Sequence, residues 1–210
     1  MKFRSTFYGI GRFGDIVGRT GKNGEYIISR YQRNVNQPNT QAQLEWRKKA
    51  KVAFQGLAPF AQVAFLTLRR VANSNGRTYW QELIKKNYAE AVAGTYPNYE
   101  INLSKLVISD GPVDLPYSPS ATCDGTTLTV TWADNSGMGN AAADDRIGIV
   151  AYNDAKRQLV FQDSVGERAD RNASMTLPTA WTGDNVDIWI YLHNNKLEFS
   201  PSTHLASIPL

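Results

Sequence analysis

Three side chains in this 210-residue sequence are suited to nucleophilic or metal chemistry: His193, His204 and Cys123. A Cys–His pair meets in space and not in sequence, so spacing alone leaves it open. The flanks argue against it. The segment CDGTT places an acidic turn beside the thiol, which raises its pKa and keeps the reactive thiolate scarce. A lone cysteine also forms no internal disulfide and no Cys-rich metal centre. Gly9, Gly11 and Gly14 spell GxGxxG, but only eight residues precede them and a strand pattern follows where the dinucleotide fingerprint needs a helix. Gly21 and Lys22 resemble the end of a phosphate-binding loop, yet Ile16 and Asn23 stand where that motif needs Gly and Ser or Thr. Asp134, Asn135, Ser136, Asp144 and Asp145 crowd the loop DNSGMGNAAADD. Oxygen-rich loops hold calcium, but this spacing matches no EF-hand and a connection between strands explains it equally. These residues point to a chain that is not an enzyme, with no catalytic residue, cofactor or metal.

Charge carries more. Residues 1–94 hold 16 Lys or Arg against 5 Asp or Glu, a balance of +11, while residues 95–210 hold 7 against 14, a balance of −7. The basic part suits an anionic partner, DNA or RNA, or the acidic part of another copy. Its first stretch interleaves Arg4, Arg12, Phe13, Arg19, Lys22, Arg30 and Arg33 with aromatics on a Gly-rich backbone. Cations contact phosphates, aromatic rings stack on bases, and glycine lets the main chain approach a polyanion. An arm that embraces a neighbouring subunit has the same composition.

The elements that position these groups are legible from periodicity. Residues 15–20 and 25–31 read as a hairpin turning at Gly21, Lys22, Asn23 and Gly24. Thr40 and Gln43 have capping-box spacing and open a helix in which Ala42, Trp46, Ala50, Ala53 and Leu57 form a core stripe. Arg47, Lys48 and Lys51 face away from it, either into solvent or toward a partner. Leu44 falls off the stripe beside Lys48, which marks it as a partner contact. A second helix starts at Pro59 and is apolar almost all round; Thr78 and Gln81 cap a third that runs to about Ala93, with Gly94 as its terminator. No apolar run long enough to span a membrane is evident, and no signal peptide. After a Pro-rich connection the period becomes that of strands, with Trp132 and Trp189 as inner anchors of a sandwich.

Several weak motifs occur in a distinctive order: GDIVGRTGKNGEYIISR, then QPNTQAQLEWR, then LTVTWADNSGMGNAAADD, RIGIVAYN, an Arg before TLP, and a W-x-GD pair. This order resembles an uncharacterised family found in Bacteroidota and their phages, with Gln37 in place of the usual Asn. The resemblance implies a two-part architecture and carries no activity. The fold expected is α+β: an N-terminal β-hairpin arm and three-helix cluster, then an immunoglobulin/fibronectin-like β-sandwich. The divisions expected are a Gly-rich basic arm at 1–35, a helical domain at 36–94, a linker with one strand at 95–115 and the sandwich at 116–210. The function expected is a structural component of a phage virion, assembled in the host cytoplasm, whose partners are other virion proteins or copies of itself and not a membrane. The alternative is a cytoplasmic nucleic-acid-binding protein.

Overall fold

The computed structural model describes residues 10–22, 24–31 and 40–210, which fall into two compact units, residues 1–41 and 42–210. In the first, β1 (Gly11–Phe13), β2 (Ile16–Thr20) and β3 (Tyr26–Arg30) form an antiparallel sheet in that order. The expected hairpin is β2 and β3, and the short β1 adds a strand to it.

The second unit begins one residue into α1 (Gln41–Leu57), which passes through a single 3-10 turn at Ala58–Phe60 into α2 (Ala61–Ser74). Pro59 lies in that turn, where its missing N–H leaves no helical hydrogen bond unmade. The result is a 34-residue helical run, Gln41–Ser74, and by length and composition it is apolar enough to cross a membrane, contrary to the sequence reading. A core helix passes the same test, and Phe60, Val63, Ala64 and Leu68 here are buried against their own chain. The third helix, α3 (Tyr79–Asn87), carries the expected capping box, with the Gln81 amide donating to the Thr78 hydroxyl and the Thr78 amide donating to Gln81.

The three-helix cluster expected from the sequence does not form as a body with its own core. The helices are a layer on a sheet. Leu57, Phe60, Val63, Ala64, Leu68 and Leu83 share one buried cluster with Val150, Tyr152, Trp189 and Tyr191. The third helix also ends earlier than expected. Gly94 sits in β4 (Val92–Thr95), which pairs with β5 (Asn98–Ile101), and at φ +93° it faces the Asn98 carbonyl at a distance no Cβ would tolerate. Residues 95–115, read as a linker, are packed: Leu106, Ile108 and Val113 are buried. Asn87 clamps this segment, donating to the Val107 carbonyl at 2.7 Å and accepting from the Val107 amide at 2.7 Å.

The remaining strands are β6 (Tyr117–Asp124), β7 (Thr127–Ala133), β8 (Arg146–Asn153), β9 (Gln158–Glu167), β10 (Asn172–Thr176), β11 (Asn185–His193) and β12 (Thr203–Pro209). They form two antiparallel sheets, β10-β7-β6 and β12-β11-β8-β9. Alternation along β7 buries Leu128, Val130 and Trp132 against Ile147, Ile149, Ile188 and Ile190 from the second sheet. The other face of β8 and β11 presents Val150, Tyr152, Trp189 and Tyr191 to the helices. Trp132 is therefore an anchor between the sheets, as expected. Trp189 is not: it stacks edge-on to Phe60 at 5.5 Å in the helix-facing layer.

Candidate functional site

The basic arm presents two faces. Residues directly opposite in an antiparallel ladder share a face, and the register pairs Phe13 with Ile16, Gly18 with Ile28, and Ile16 with Arg30. Phe13, Ile16, Gly18, Ile28 and Arg30 thus lie on one side, and Arg12, Val17, Arg19 and Ile27 on the other. Ile16 and Ile28 are each 50% exposed, around the side-chain-free floor at Gly18. Arg12 is used within the arm: its guanidinium lies 3.7 Å above the Tyr31 ring and its Nε donates to the Gly14 carbonyl. Arg19, Lys22 and Arg30 are exposed. Arg4 and Arg33 lie outside the described residues. Each face therefore keeps basic and apolar residues together: Arg30 with Phe13, Ile16 and Ile28 on one, Arg12 and Arg19 with Val17 and Ile27 on the other.

On α1 the helical spacing places Leu44, Arg47, Lys48 and Lys51 on one face, and the three basic residues are exposed. Leu44 is half-buried, so its own chain already covers part of it. Trp46 is exposed, at 62%, although the sequence reading placed it in the core together with Ala42, also exposed. The reason is that burial along α1 starts only at Ala50 and continues with Ala53 and Leu57. Trp46 and Phe54 wall an open groove of about 350 Å³ between α1 and α3, with Ala50 and Ala53 among its lining and Ile84, Lys85, Tyr88 and Ala89 across from them. The Lys49 ammonium stands 4.9 Å over the Tyr88 ring at its rim. The i, i+4 spacing of Ala42, Trp46 and Ala50 gave no sign that the stripe would outrun the core.

The residues suited to catalysis are engaged elsewhere. The Cys123 sulfur contacts the Gly125 carbonyl at 3.3 Å, and burial together with Asp124 pushes the thiol pKa up, as its acidic turn suggested. His204 is paired with Asp187 at 2.9 Å. His193 has the Asp163 carboxylate 3.3 Å from Nε2 and the Asn194 carbonyl 3.2 Å from Nδ1. Both neighbours are acceptors, so both ring nitrogens are placed to donate and the imidazolium is favoured. Ser164 lies 3.1 Å from the same Nε2 that meets Asp163. A serine triad needs the carboxylate on Nδ1 and the serine hydroxyl on Nε2, whereas here the carboxylate and the serine share Nε2, the arrangement of an ion pair.

The oxygen-rich loop is organised around a cation of the chain itself. Arg168, fully buried, donates to Asp145 at 2.7 Å, to the Asn135 side chain at 2.6 Å and to the Asp114 carbonyl at 2.7 Å. Asp134 accepts from the Ser136 amide and hydroxyl, which lower its pKa. No group of three or more metal-ligating side chains occurs among the described residues.

A family model described as a family of unknown function, DUF6266, matches residues 8–202. The chain belongs to this family. Curated proteins provide no match. Because the DUF6266 match begins at residue 8, it takes in the three-stranded sheet as well as the helices and most of the two larger sheets. The exposed Ile16 and Ile28 and the groove beside Trp46 are all within the DUF6266 region.

Proposed function

We propose that the protein is a non-enzymatic structural component of a phage virion that assembles through its basic N-terminal half, and that its two facing sheets are an immunoglobulin-like sandwich. The observation that carries this reading is the exposure of Ile16 and Ile28 on one side of the β1-β2-β3 sheet, beside the exposed Phe13 and Arg30. An isolated three-stranded sheet gains nothing by exposing two isoleucines on one face, whereas a neighbouring subunit buries them. The exposed Trp46 and Phe54 on α1 supply a second apolar surface in the same basic half. The direction toward a virion comes from the resemblance to proteins of Bacteroidota and their phages, and is an association and not a mechanism. Partners are copies of this chain or other virion proteins.

The exposed Arg47, Lys48 and Lys51 favour a second reading, a cytoplasmic protein that binds DNA or RNA through this helix face. One measurement separates the two: elution volume of the purified protein at low and high salt, with and without nuclease. A nuclease-resistant oligomer of defined size, together with detection of the polypeptide in purified particles, supports assembly. A monomer that changes size only with nucleic acid, with steep salt dependence, replaces the assembly reading with the binding one.

A further inference from the structure

We infer that the groove between α1 and α3 receives the Met138 loop of a second copy, giving a head-to-tail contact. This rests on the assembly reading and names its surfaces. The loop tip is a built projection. Met138 is 57% exposed, between Gly137 and Gly139, both at positive φ. Main-chain hydrogen bonds close the tip on both sides: the Met138 amide donates to the Asn135 carbonyl, the Ala141 amide to the Met138 carbonyl and the Gly137 amide to the Ala141 carbonyl. Its base is held by the buried Arg168–Asp145 pair. Such a tip loses little conformational freedom on docking. Tyr117, 53% exposed, lies beside it with its hydroxyl 3.6 Å from the Met138 sulfur.

The groove has the complementary chemistry. Trp46, Phe54 and Tyr88 supply aromatic walls and Ala50 and Ala53 leave room between them. A thioether is favoured against aromatic rings and adapts to an irregular slot. Charge selects the same occupant. Lys49 and Lys85 border the groove, while Asp114 and Asp144 are exposed at the loop, the Asp114 carboxylate accepting from the Asn140 amide at 2.7 Å. Groove and loop belong to the +11 and −7 parts of the chain respectively. Two different surfaces meeting in this way make a heterologous contact, which closes into a ring or extends as a filament.

The test uses the full chain and two variants at exposed positions, Met138→Glu and Trp46→Glu, compared with wild type by sedimentation velocity over a concentration series, with circular dichroism to verify folding. Wild type is expected to form higher species, and each variant alone to associate about tenfold or more weakly. Mixed in equal amounts, the variants retain one intact groove and one intact loop between them and should form a dimer that grows no further. Assembly that persists in Met138→Glu would overturn this contact while leaving the assembly reading in place. A wild-type monomer at every concentration would overturn self-pairing, and detection in particles would then tell whether assembly proceeds through other proteins. A mixture that fails to dimerise while both variants are monomeric would also overturn it.

Discussion

Individual side chains divide into those that hold the fold and those left exposed. Arg168 belongs to the first group: fully buried, it satisfies Asp145, Asn135 and two carbonyls at once. Arg168→Leu leaves Asp145 buried without its counter-charge and should cost about 3–5 kcal/mol, read from urea unfolding. Asp145→Asn, which keeps the shape, should cost less. The His193–Asp163 pair predicts a pH dependence. The hydrogen bond to Asp163 raises His193 above its ordinary 6.5 against the opposing effect of burial. Its stabilisation is complete below that value and is lost as pH rises through the raised one. Burial would raise Asp163, but hydrogen bonds from His193, Tyr191 and Ser164 outweigh it and hold the carboxyl below its ordinary 3.8. Its contribution is complete above 3.8 and is lost as acid brings the pH through the depressed value. The pair therefore stabilises most between 3.8 and 6.5. Thermal midpoints of wild type should fall from that window toward alkaline pH, and Asp163→Asn should flatten the fall; an unchanged profile would exclude the pair as its source.

At the scale of elements, β8 and β11 decide the architecture because both of their faces are buried. Tyr191 on β11 reaches across β8 to donate to Asp163 on β9 at 3.1 Å, and Gly148 makes this possible. A Cβ at Gly148 would lie 2.2 Å from the Tyr191 ring carbon that carries its hydroxyl. Gly148→Ala should therefore displace Tyr191 from the helix-facing core and cost about 1–3 kcal/mol, visible as a lowered unfolding midpoint. At α3, Thr78→Ala removes one half of the capping box and should cost about 1 kcal/mol by the same measurement. Strand character was readable from alternation, and β7 to β12 all fall in the stretch where the period becomes that of strands. The helix layer was not, although RIGIVAYN and VDIWIYL carry apolar residues at successive positions, the mark of a strand covered on both sides. The strand β6 was hidden because it begins in the Pro-rich connection, where Pro119 falls at an irregularity in its pairing with β7.

For the whole molecule, the polarity between a basic first half and an acidic second half predicts association that weakens with salt. Sedimentation at about 0.05 M and about 0.5 M salt should show the oligomer losing mass at the higher value, since exposed charges are screened beyond a few ångströms there. An oligomer indifferent to salt would place the apolar contacts at Ile16, Ile28, Trp46 and Met138 above the charge pattern. The amino-acid sequence by itself determined the charge polarity, the α+β content, the capped start of α3 and the alternation that buries Leu128, Val130 and Trp132, because each depends on neighbours within a few residues. Only the tertiary structure decided that the helices lie on the sheet, that Trp189 faces them, and that Trp46 is left in the open. Those outcomes depend on which surface each apolar stripe meets, and periodicity reports that a stripe exists without reporting how far along it the opposing surface extends.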